Sequence, residues 1–391
     1  MEKQNNKGNV PKRVSVSVTN DLVTDQRVYR SCHALHEAGY AVTLIGRMLD
    51  DRTPLNRPYR TVRMRLLFRK GPLFYASFNV RLFLRLLFAR TDAFYANDTD
   101  TLLANYLAAR LRRKPLFFDA HEMFPEVPEL VGRPRVKAVW EGLERCMFPR
   151  MAKMHHCAAV TVCQSIADIY RQRYGLPMAV VRNVPIANAM MQVRDHDFGL
   201  PHDRKILLYQ GAVNVGRGIE WVMEAMPYLD GYQLVVAGVG DEYERLSQRA
   251  AAAKFSDRVT FLGRVQPEVL HALTGKATLG LSLLANRGLN YYYSLPNRIA
   301  DFVQAGVPVL ATDFPEIHRV VETYGIGTLV PPIDEGTAPD PVAMAQIIKD
   351  AVESWSSIAA DEKQRRFERA AKELSWEHDK KTLLASFDAI F

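Results

Sequence analysis

Three stretches of this 391-residue chain combine side chains suited to handling an anion and a sugar. Gln210-Gly211-Ala212-Val213-Asn214-Val215-Gly216-Arg217-Gly218 is a glycine-bearing loop with a guanidinium inside it, leading into a helical pattern from Ile219 to Met226. Backbone N–H groups of such a loop, helped by Arg217 and the helix dipole, can cradle a phosphate. Leu295-Pro296-Asn297-Arg298 opens a second helix, in which Asn297 is the expected cap, Arg298 a fixed positive charge, and Asp301 a carboxylate within reach of sugar hydroxyls one turn on. The third is Asp119-Ala120-His121-Glu122, a histidine flanked by carboxylates and followed by the proline-stiffened Phe124-Pro125-Glu126-Val127-Pro128. No other histidine of the chain is as well placed for chemistry.

Other acidic and histidine clusters are weaker candidates. Asp98-Thr99-Asp100 has the spacing of a divalent-cation site, but two acids at a helix start are also what capping favours, and no metal is expected there. His155-His156-Cys157 lacks a second ligand cluster and reads as a helix end. Asp25-Gln26-Arg27 stands at a helix start, where capping and dipole balance account for it.

The elements that must position these residues alternate strand and helix. Val14 to Val18, Ala93 to Ala96 and Pro115 to Phe118 are β-rich or fully apolar runs in the first half. Lys205 to Tyr209, Gln233 to Ala237, Val259 to Leu262, Thr278 to Leu283 and Pro308 to Ala311 follow in the second. Every candidate loop comes directly after such a run, and the carboxyl ends of parallel strands are where doubly wound sheets bind ligands. Gly238-Val239-Gly240 and Gly263-Arg264-Val265 end two more strands in the same way. No GxGxxG follows the first strand, so a nicotinamide or flavin fingerprint is absent. Met191 to Asp203 is polar with Gly and Pro, and is expected to be the linker between two α/β domains.

Composition bounds the rest. The chain is 48% hydrophobic with mixed charge, which excludes a disordered or fibrous protein. Its first residues lack the apolar core of a signal peptide, no run could span a bilayer, and four scattered cysteines suit a reducing cytoplasm. The net charge of +8 is unevenly spread: residues 1–190 carry a balance of +14 and the remainder −6. The excess concentrates in residues 57–90, where Arg63, Arg65, Arg69 and Lys70 precede a helical pattern from Phe74 to Arg90 containing Arg81 and Arg85 among many aromatic and aliphatic residues. A helix packed on a sheet accounts for part of that apolar arc; contact with an anionic bilayer, as a peripheral attachment, is the sharper expectation. No basic arm or reader motif points to nucleic acid.

Taken in order, these motifs resemble the nucleotide-sugar glycosyltransferases of family 4. The resemblance rests on Asp119-Ala120-His121-Glu122, Tyr209-Gln210-Gly211 with Gly216-Arg217-Gly218, Gly238-Val239-Gly240, Phe261 to Val265, Pro296-Asn297-Arg298 with Ala305-Gly306-Val307-Pro308-Val309, and Ser375-Trp376-Glu377. It implies the α/β GT-B fold, in which two Rossmann-like doubly wound domains face a central cleft. The expected boundaries are 1–192 for an acceptor-binding domain, 204–374 for a nucleotide-sugar-binding domain, and 375–391 for a C-terminal helix crossing back to the first domain, anchored by Trp376. The resemblance puts His121 beside the donor sugar, Arg217 on the diphosphate and Asp301 on ribose hydroxyls as the catalytic set. Gly211, Gly218, Gly238, Gly240, Arg264, Val265, Tyr293, Leu295, Asn297 and Arg298 fall on the donor-binding side, and Asp25, Arg27 and Glu122 on the acceptor side. Two positions depart from the family pattern: Ala212 replaces a frequent arginine, and Tyr293 replaces the earlier acid of the family's acidic pair.

The expected activity is therefore a hexosyltransferase reaction. A sugar would pass from a nucleoside diphosphate, with retention and without metal or other cofactor, to a glycan or lipid-linked acceptor in cell-envelope polysaccharide or glycoconjugate assembly. A nucleotide-sugar epimerase of the same fold and a catalytically silent membrane-docking homologue are the alternatives, the latter favoured by Tyr293. Sugar specificity is expected in residues 284–294, Leu284-Ala285-Asn286-Arg287-Gly288-Leu289-Asn290 and the tyrosines that follow.

Overall fold

The computed structural model describes residues 10–23, 25–49, 54–127, 130, 132–186 and 196–391. They form two compact units, one running to Val181 and including Lys380–Phe391, the other Arg182–Asp379. The second unit thus begins at Arg182; residues 191–195 of the expected linker and Pro128 of the loop after His121 lie outside the described residues.

The first unit is a seven-stranded sheet of β1 (Arg13–Asp21), β2 (Ala41–Arg47), β3 (Arg60–Met64), β4 (Ala93–Asn97), β5 (Leu116–Ala120), β6 (Cys157–Thr161) and β7 (Ala179–Val180). Its order is β3-β2-β1-β4-β5-β6-β7, and all pairs are parallel. Helices α1 (Gln26–Glu37), α2 (Pro72–Phe88), α3 (Thr99–Arg112), α4 (Pro134–Met151) and α5 (Gln164–Tyr174) connect them. Helices on both faces explain why β4 and β5 read as continuous apolar runs: all five residues of each are buried. The order reverses between β1 and β4, so the loops after these two strands flank the switch point of the sheet.

Helix α2 divides its apolar residues between two faces. Phe74, Phe78, Leu82 and Leu86, four apart, are buried, while Leu73, Val80, Leu84 and Phe88 stand at least half exposed. The chain's last helix ends in this unit: Phe387 packs among Tyr40, Tyr95 and Phe117, and Lys380 pairs with Glu37.

The second unit repeats the theme with β8 (Lys205–Gln210), β9 (Tyr232–Ala237), β10 (Val259–Gly263), β11 (Leu279–Ser282), β12 (Ala285–Asn286), β13 (Val309–Thr312), β14 (Gly327–Val330) and β15 (Ile333–Asp334). Its six-stranded parallel sheet has the order β10-β9-β8-β11-β13-β14, while β12 and β15 pair separately. Helices α6 (Ile219–Ala225), α7 (Tyr243–Ala251), α8 (Pro267–Gly275), α9 (Leu289–Tyr292), α10 (Asn297–Gln304), α11 (Pro315–Tyr324), α12 (Pro341–Ser357) and α13 (Ala360–Glu373) cover it, before α14 (Trp376–Asp388). The switch point here lies between β8 and β11, which puts the Gly211 to Gly218 loop beside it. Trp376 is buried, its backbone N–H donating to the Pro185 carbonyl, and Asp379 holds Arg182 through a bidentate pair of 2.7 and 3.1 Å.

Candidate active site

In the first unit the chemistry gathers where β4 and β5 end. Asp119, the fourth residue of β5, is fully buried and accepts hydrogen bonds from Arg27 at 2.6 Å and from the Tyr95 hydroxyl at 2.9 Å. Arg27 reaches Asp119 from α1 and also bonds the Val181 carbonyl. A buried ion pair of this kind is strongly destabilised if one partner is removed. Burial opposes the Asp119 charge, but Arg27 and His121 hold its carboxyl well below the ordinary range. Arg27, expected on the acceptor side, is thus committed to the floor of the site.

His121 follows immediately. Its backbone N–H donates to Asp98 Oδ1 at 2.8 Å, and its Nδ1 lies 3.1 Å from Asp98 Oδ2. On the other side, Nε2 lies 3.2 Å from Asn97 Oδ1 and 3.6 Å from Asp119 Oδ2. The Asn97 amide donates to the Ser17 carbonyl at 3.0 Å, which turns its oxygen toward the imidazole. Both ring nitrogens therefore face only acceptors, the arrangement that an imidazolium satisfies and a neutral ring does not. Burial works against the cation, yet Asp98 and Asp119 outweigh it and raise His121 from 6.5 to about 10. Asp98 achieves its two contacts at φ 58 and ψ 163, a backbone conformation costly for a residue with a side chain, of order 1–3 kcal/mol.

The acidic residues around this histidine have separate partners. Asp100 is buried, accepts a hydrogen bond from the Thr19 hydroxyl, and is pushed up to about 8 by burial and by Asp98. It therefore carries a proton at neutral pH, and its Oδ1 has no hydrogen-bond partner. The Asp98-Thr99-Asp100 carboxylates are thus engaged in different directions. Asp25 caps α1 by accepting from the Val28 N–H at 3.0 Å. Glu122 is half-buried, and its charge reaches Asp100. The loop beyond is fixed by Phe124 and Tyr75, whose rings meet Trp140 edge-on, and by a 2.7 Å pair between Glu126 and Lys137.

In the second unit two loops make a close backbone contact. Gly238 has φ 151, and a Cβ there would lie 1.8 Å from the Gly211 carbonyl oxygen; one at Gly240 would lie 2.4 Å from that of Val213. Only glycine lets the loops after β8 and β9 approach this closely. Gly218, with φ 69, leads into α6 against Leu283.

Arg298 and Arg217 stand behind this loop. Arg298 is 7% exposed, its guanidinium lies over the Tyr209 ring at 4.3 Å, and its Nη1 is buried without a hydrogen-bond partner. Its Nη2 would be 3.5 Å from a Cβ at Gly211, so the charge sits directly against the glycine loop. Arg217 lies over Tyr291 at 4.6 Å with Nε buried and unpartnered. Neither pairs with a carboxylate among the described residues. Burial, and also repulsion from Arg217, lowers the Arg298 pKa, the signature of two cations gathered without an anion.

The remaining donor-side residues are ordered around this pair. Asp301 accepts from the Gln210 amide at 3.1 Å, and Gln210 in turn accepts from Thr274 at 2.9 Å. Leu295 packs on the apolar core, Val265 is half-buried against it, and Arg264 is exposed. Tyr293 ends α9 and meets Tyr292 edge-on. Asn297 differs from its expected role: the extended residue before α10 is Pro296, and Asn297 is the exposed first helical residue with no side-chain cap. Pro296, fixed near φ −62, starts the helix one residue earlier than a capping Asn297 requires. The first N–H groups of α10 are left without a side-chain cap. In residues 284–294, Asn286 bonds Asp334 and Arg287 pairs with Glu335, so both polar side chains are tied to β15 and the turn after it.

Two doubly wound units, one with a glycine loop backed by unpaired arginines, define a GT-B enzyme. The fold is shared across 97% of this chain with sucrose-phosphate synthase from Thermosynechococcus elongatus, at 19% identity, 99% coverage of that chain and a TM-score of 0.71. HepE of Anabaena, solved in complex with UDP, matches 97% of this chain and 100% of its own at 12% identity and a TM-score of 0.70. Family models described as "Glycosyl transferases group 1" and "Glycosyltransferase Family 4" match residues 204–353 and 25–185. The chain belongs to this glycosyltransferase family. Among curated relatives, alpha-D-kanosaminyltransferase of Streptomyces kanamyceticus is 25% identical over 281 residues, 67% of this chain and 69% of that protein. Phosphatidyl-myo-inositol mannosyltransferase of Mycobacterium leprae is 28% identical over 183 residues, 44% of each.

Proposed function

We propose that this glycosyltransferase takes its sugar from a nucleoside diphosphate, with retention and without a metal, and passes it to a glycan or lipid-linked acceptor of envelope or glycoconjugate assembly. The observation that carries this is the pair Arg217 and Arg298, two guanidiniums without a carboxylate partner behind a loop that only glycines allow. A buried cation without a counter-ion is costly, and a diphosphate supplies the missing charge. The solved complexes of HepE with UDP and with UDP-glucose support a nucleotide sugar as the donor class.

The residues divide the work. Arg217, Arg298 and the uncapped N–H groups of α10 take the diphosphate and the charge that grows on it as the glycosidic bond breaks, help of a kind commonly worth about 3–4 kcal/mol per donor. Asp301, steadied by Gln210, takes ribose hydroxyls. An imidazolium does not stabilise an oxocarbenium-like sugar, so His121 orients the substrate and does not act as a base. Incubation with a panel of nucleoside diphosphate sugars, with and without acceptor extracts, tests the reading. Acceptor-dependent release of nucleoside diphosphate is expected; an epimerised sugar nucleotide formed without acceptor, or no turnover with any donor, contradicts it.

Peripheral attachment to an anionic membrane from the cytoplasmic side is part of the same reading. Between β3 and α2 lies a groove of about 700 Å³ lined by Arg60, Arg63, Arg65, Arg81, Arg85 and Arg90, with Leu84 and Phe88 exposed on its rim. Arg60, Arg85 and Arg90 pair with no carboxylate among the described residues, and no described helix is long and apolar enough to cross a membrane. Each such cation contributes about 1 kcal/mol at an anionic surface. Vesicle co-sedimentation checks it: anionic vesicles should retain more protein than neutral ones, and high salt should release it.

A further inference from the structure

A second cavity, of about 410 Å³, opens in the first unit between the loop after His121 and helices α4 and α5. Its charged lining is mixed: Glu126, Glu141 and Glu144 on one side of the ledger, Arg145 and Arg173 on the other. Glu144 is 2% exposed, and both of its hydrogen bonds, from the Thr99 hydroxyl at 3.1 Å and from the Tyr170 hydroxyl at 3.4 Å, fall on Oε1. Among the described residues Oε2 of this carboxyl receives none. Burial raises Glu144 to about 7, as expected for an acid that lacks a cation in contact. Arg145 and Arg173 have no carboxylate within ion-pair distance among the described residues. Glu126 is already neutralised by Lys137, which also lies 3.9 Å from Glu141. Pro149, inside α4, has no N–H to bond the Arg145 carbonyl.

The cavity is also wired to the histidine. Thr99, bonded to Glu144, directly follows Asp98, which holds both the backbone and the ring of His121. Met123 and Pro125, on the other wall, belong to the loop that leaves His121.

We infer that this cavity seats the acceptor's anchoring unit, a sugar or polyol bearing a phosphate or a carboxylate. Its anion lies on Arg145 and Arg173, and its hydroxyls donate to Glu144 Oε2. Two exposed guanidiniums without a carboxylate partner recognise an anion bidentately, and a carboxyl oxygen without a donor selects a hydroxyl over an apolar group. The inference rests on the transferase reading, because only a transferase needs a separate acceptor seat.

Calorimetry on the full chain without donor tests it, using glucose 6-phosphate and other sugar phosphates, glucuronate, glucose and inorganic phosphate as probes. At least one anionic sugar should bind about tenfold or more tightly than glucose and than phosphate alone. The Arg145→Gln/Arg173→Gln double variant should lose that preference while nucleoside diphosphate binding stays unchanged. Glu144→Gln, which keeps an oxygen for Thr99 and Tyr170, should bring sugar phosphate and inorganic phosphate closer together in affinity. Preference for phosphorylated sugars or for uronates identifies the anion. Equal binding of charged and neutral sugars, binding indifferent to the arginine pair, or no binding of any anionic sugar overturns the inference. If the wild-type chain binds no nucleoside diphosphate either, it is the donor reading that fails.

Discussion

Replacing Asp98 by Asn separates the electrostatic role of that carboxylate from its shape. The side chain keeps an oxygen for the His121 N–H, and asparagine tolerates positive φ better than most residues. What disappears is the negative charge 3.1 Å from Nδ1. The rise of His121 from 6.5 to about 10 amounts to about 5 kcal/mol of preference for the imidazolium, achieved against burial by Asp98 and Asp119 together. Asp98 is the larger of the two charges, and at 3.6 Å from Nε2 Asp119 is farther away and already paired with Arg27. Losing Asp98 should therefore remove more than half of that preference and bring the His121 titration down into the range of pH 6–8, about 3 kcal/mol less. Its sign is fixed by linkage. A histidine raised in the folded state contributes stability that is complete below its unfolded pKa near 6.5 and is lost as pH climbs through about 10. Wild-type turnover should be flat across neutral pH and fall toward pH 10, whereas Asp98→Asn should lose activity in the neutral range. The assay is NMR titration of the imidazole C–H resonances, paired with kcat against pH. A His121 midpoint unchanged in Asp98→Asn refutes the account of this site.

Other perturbations have equally definite outcomes. Gly238→Ala would force a Cβ against the Gly211 carbonyl at a glycine-only φ; we expect a loss of about 3 kcal/mol or more by denaturant titration, together with nucleotide binding. Glu144→Gln should flatten the pH dependence of stability. The raised carboxyl stabilises the fold while protonated, and that contribution, about 3 kcal/mol, is lost between about pH 4.5 and 7, so the variant should gain most above pH 7 in thermal unfolding. A chelator should leave turnover unchanged; its loss on chelation would restore a metal role for Asp98 and Asp100.

The alternation of apolar runs with helical patterns made the doubly wound architecture legible, because buried parallel strands such as Leu116–Ala120 announce themselves by composition alone. The loops at their carboxyl ends followed from the same pattern. What could not be read were pairings between distant positions. Arg27 and Asp119 are 92 residues apart, and nothing local tells the guanidinium of an amphipathic helix start from one that will be buried under a histidine. Asp98 looked like a helix cap; only its strained backbone turns its carboxylate onto His121 instead of onto the N–H groups of α3. Glu144 was hidden because one acid among several in α4 gives no sign of facing inward. Asn297 shows the limit of capping rules beside proline, whose ring fixed the helix start one residue away.

The most direct test of the central claim is calorimetric titration of the full chain with nucleoside diphosphates, repeated on Arg217→Ala and Arg298→Ala. One nucleotide should bind the wild-type chain, and each variant should bind it about ten- to hundredfold more weakly with unchanged folding, the usual effect of losing one charge-assisted contact to phosphate. Equal affinity in wild type and both variants, or no nucleoside diphosphate binding at all, would contradict it.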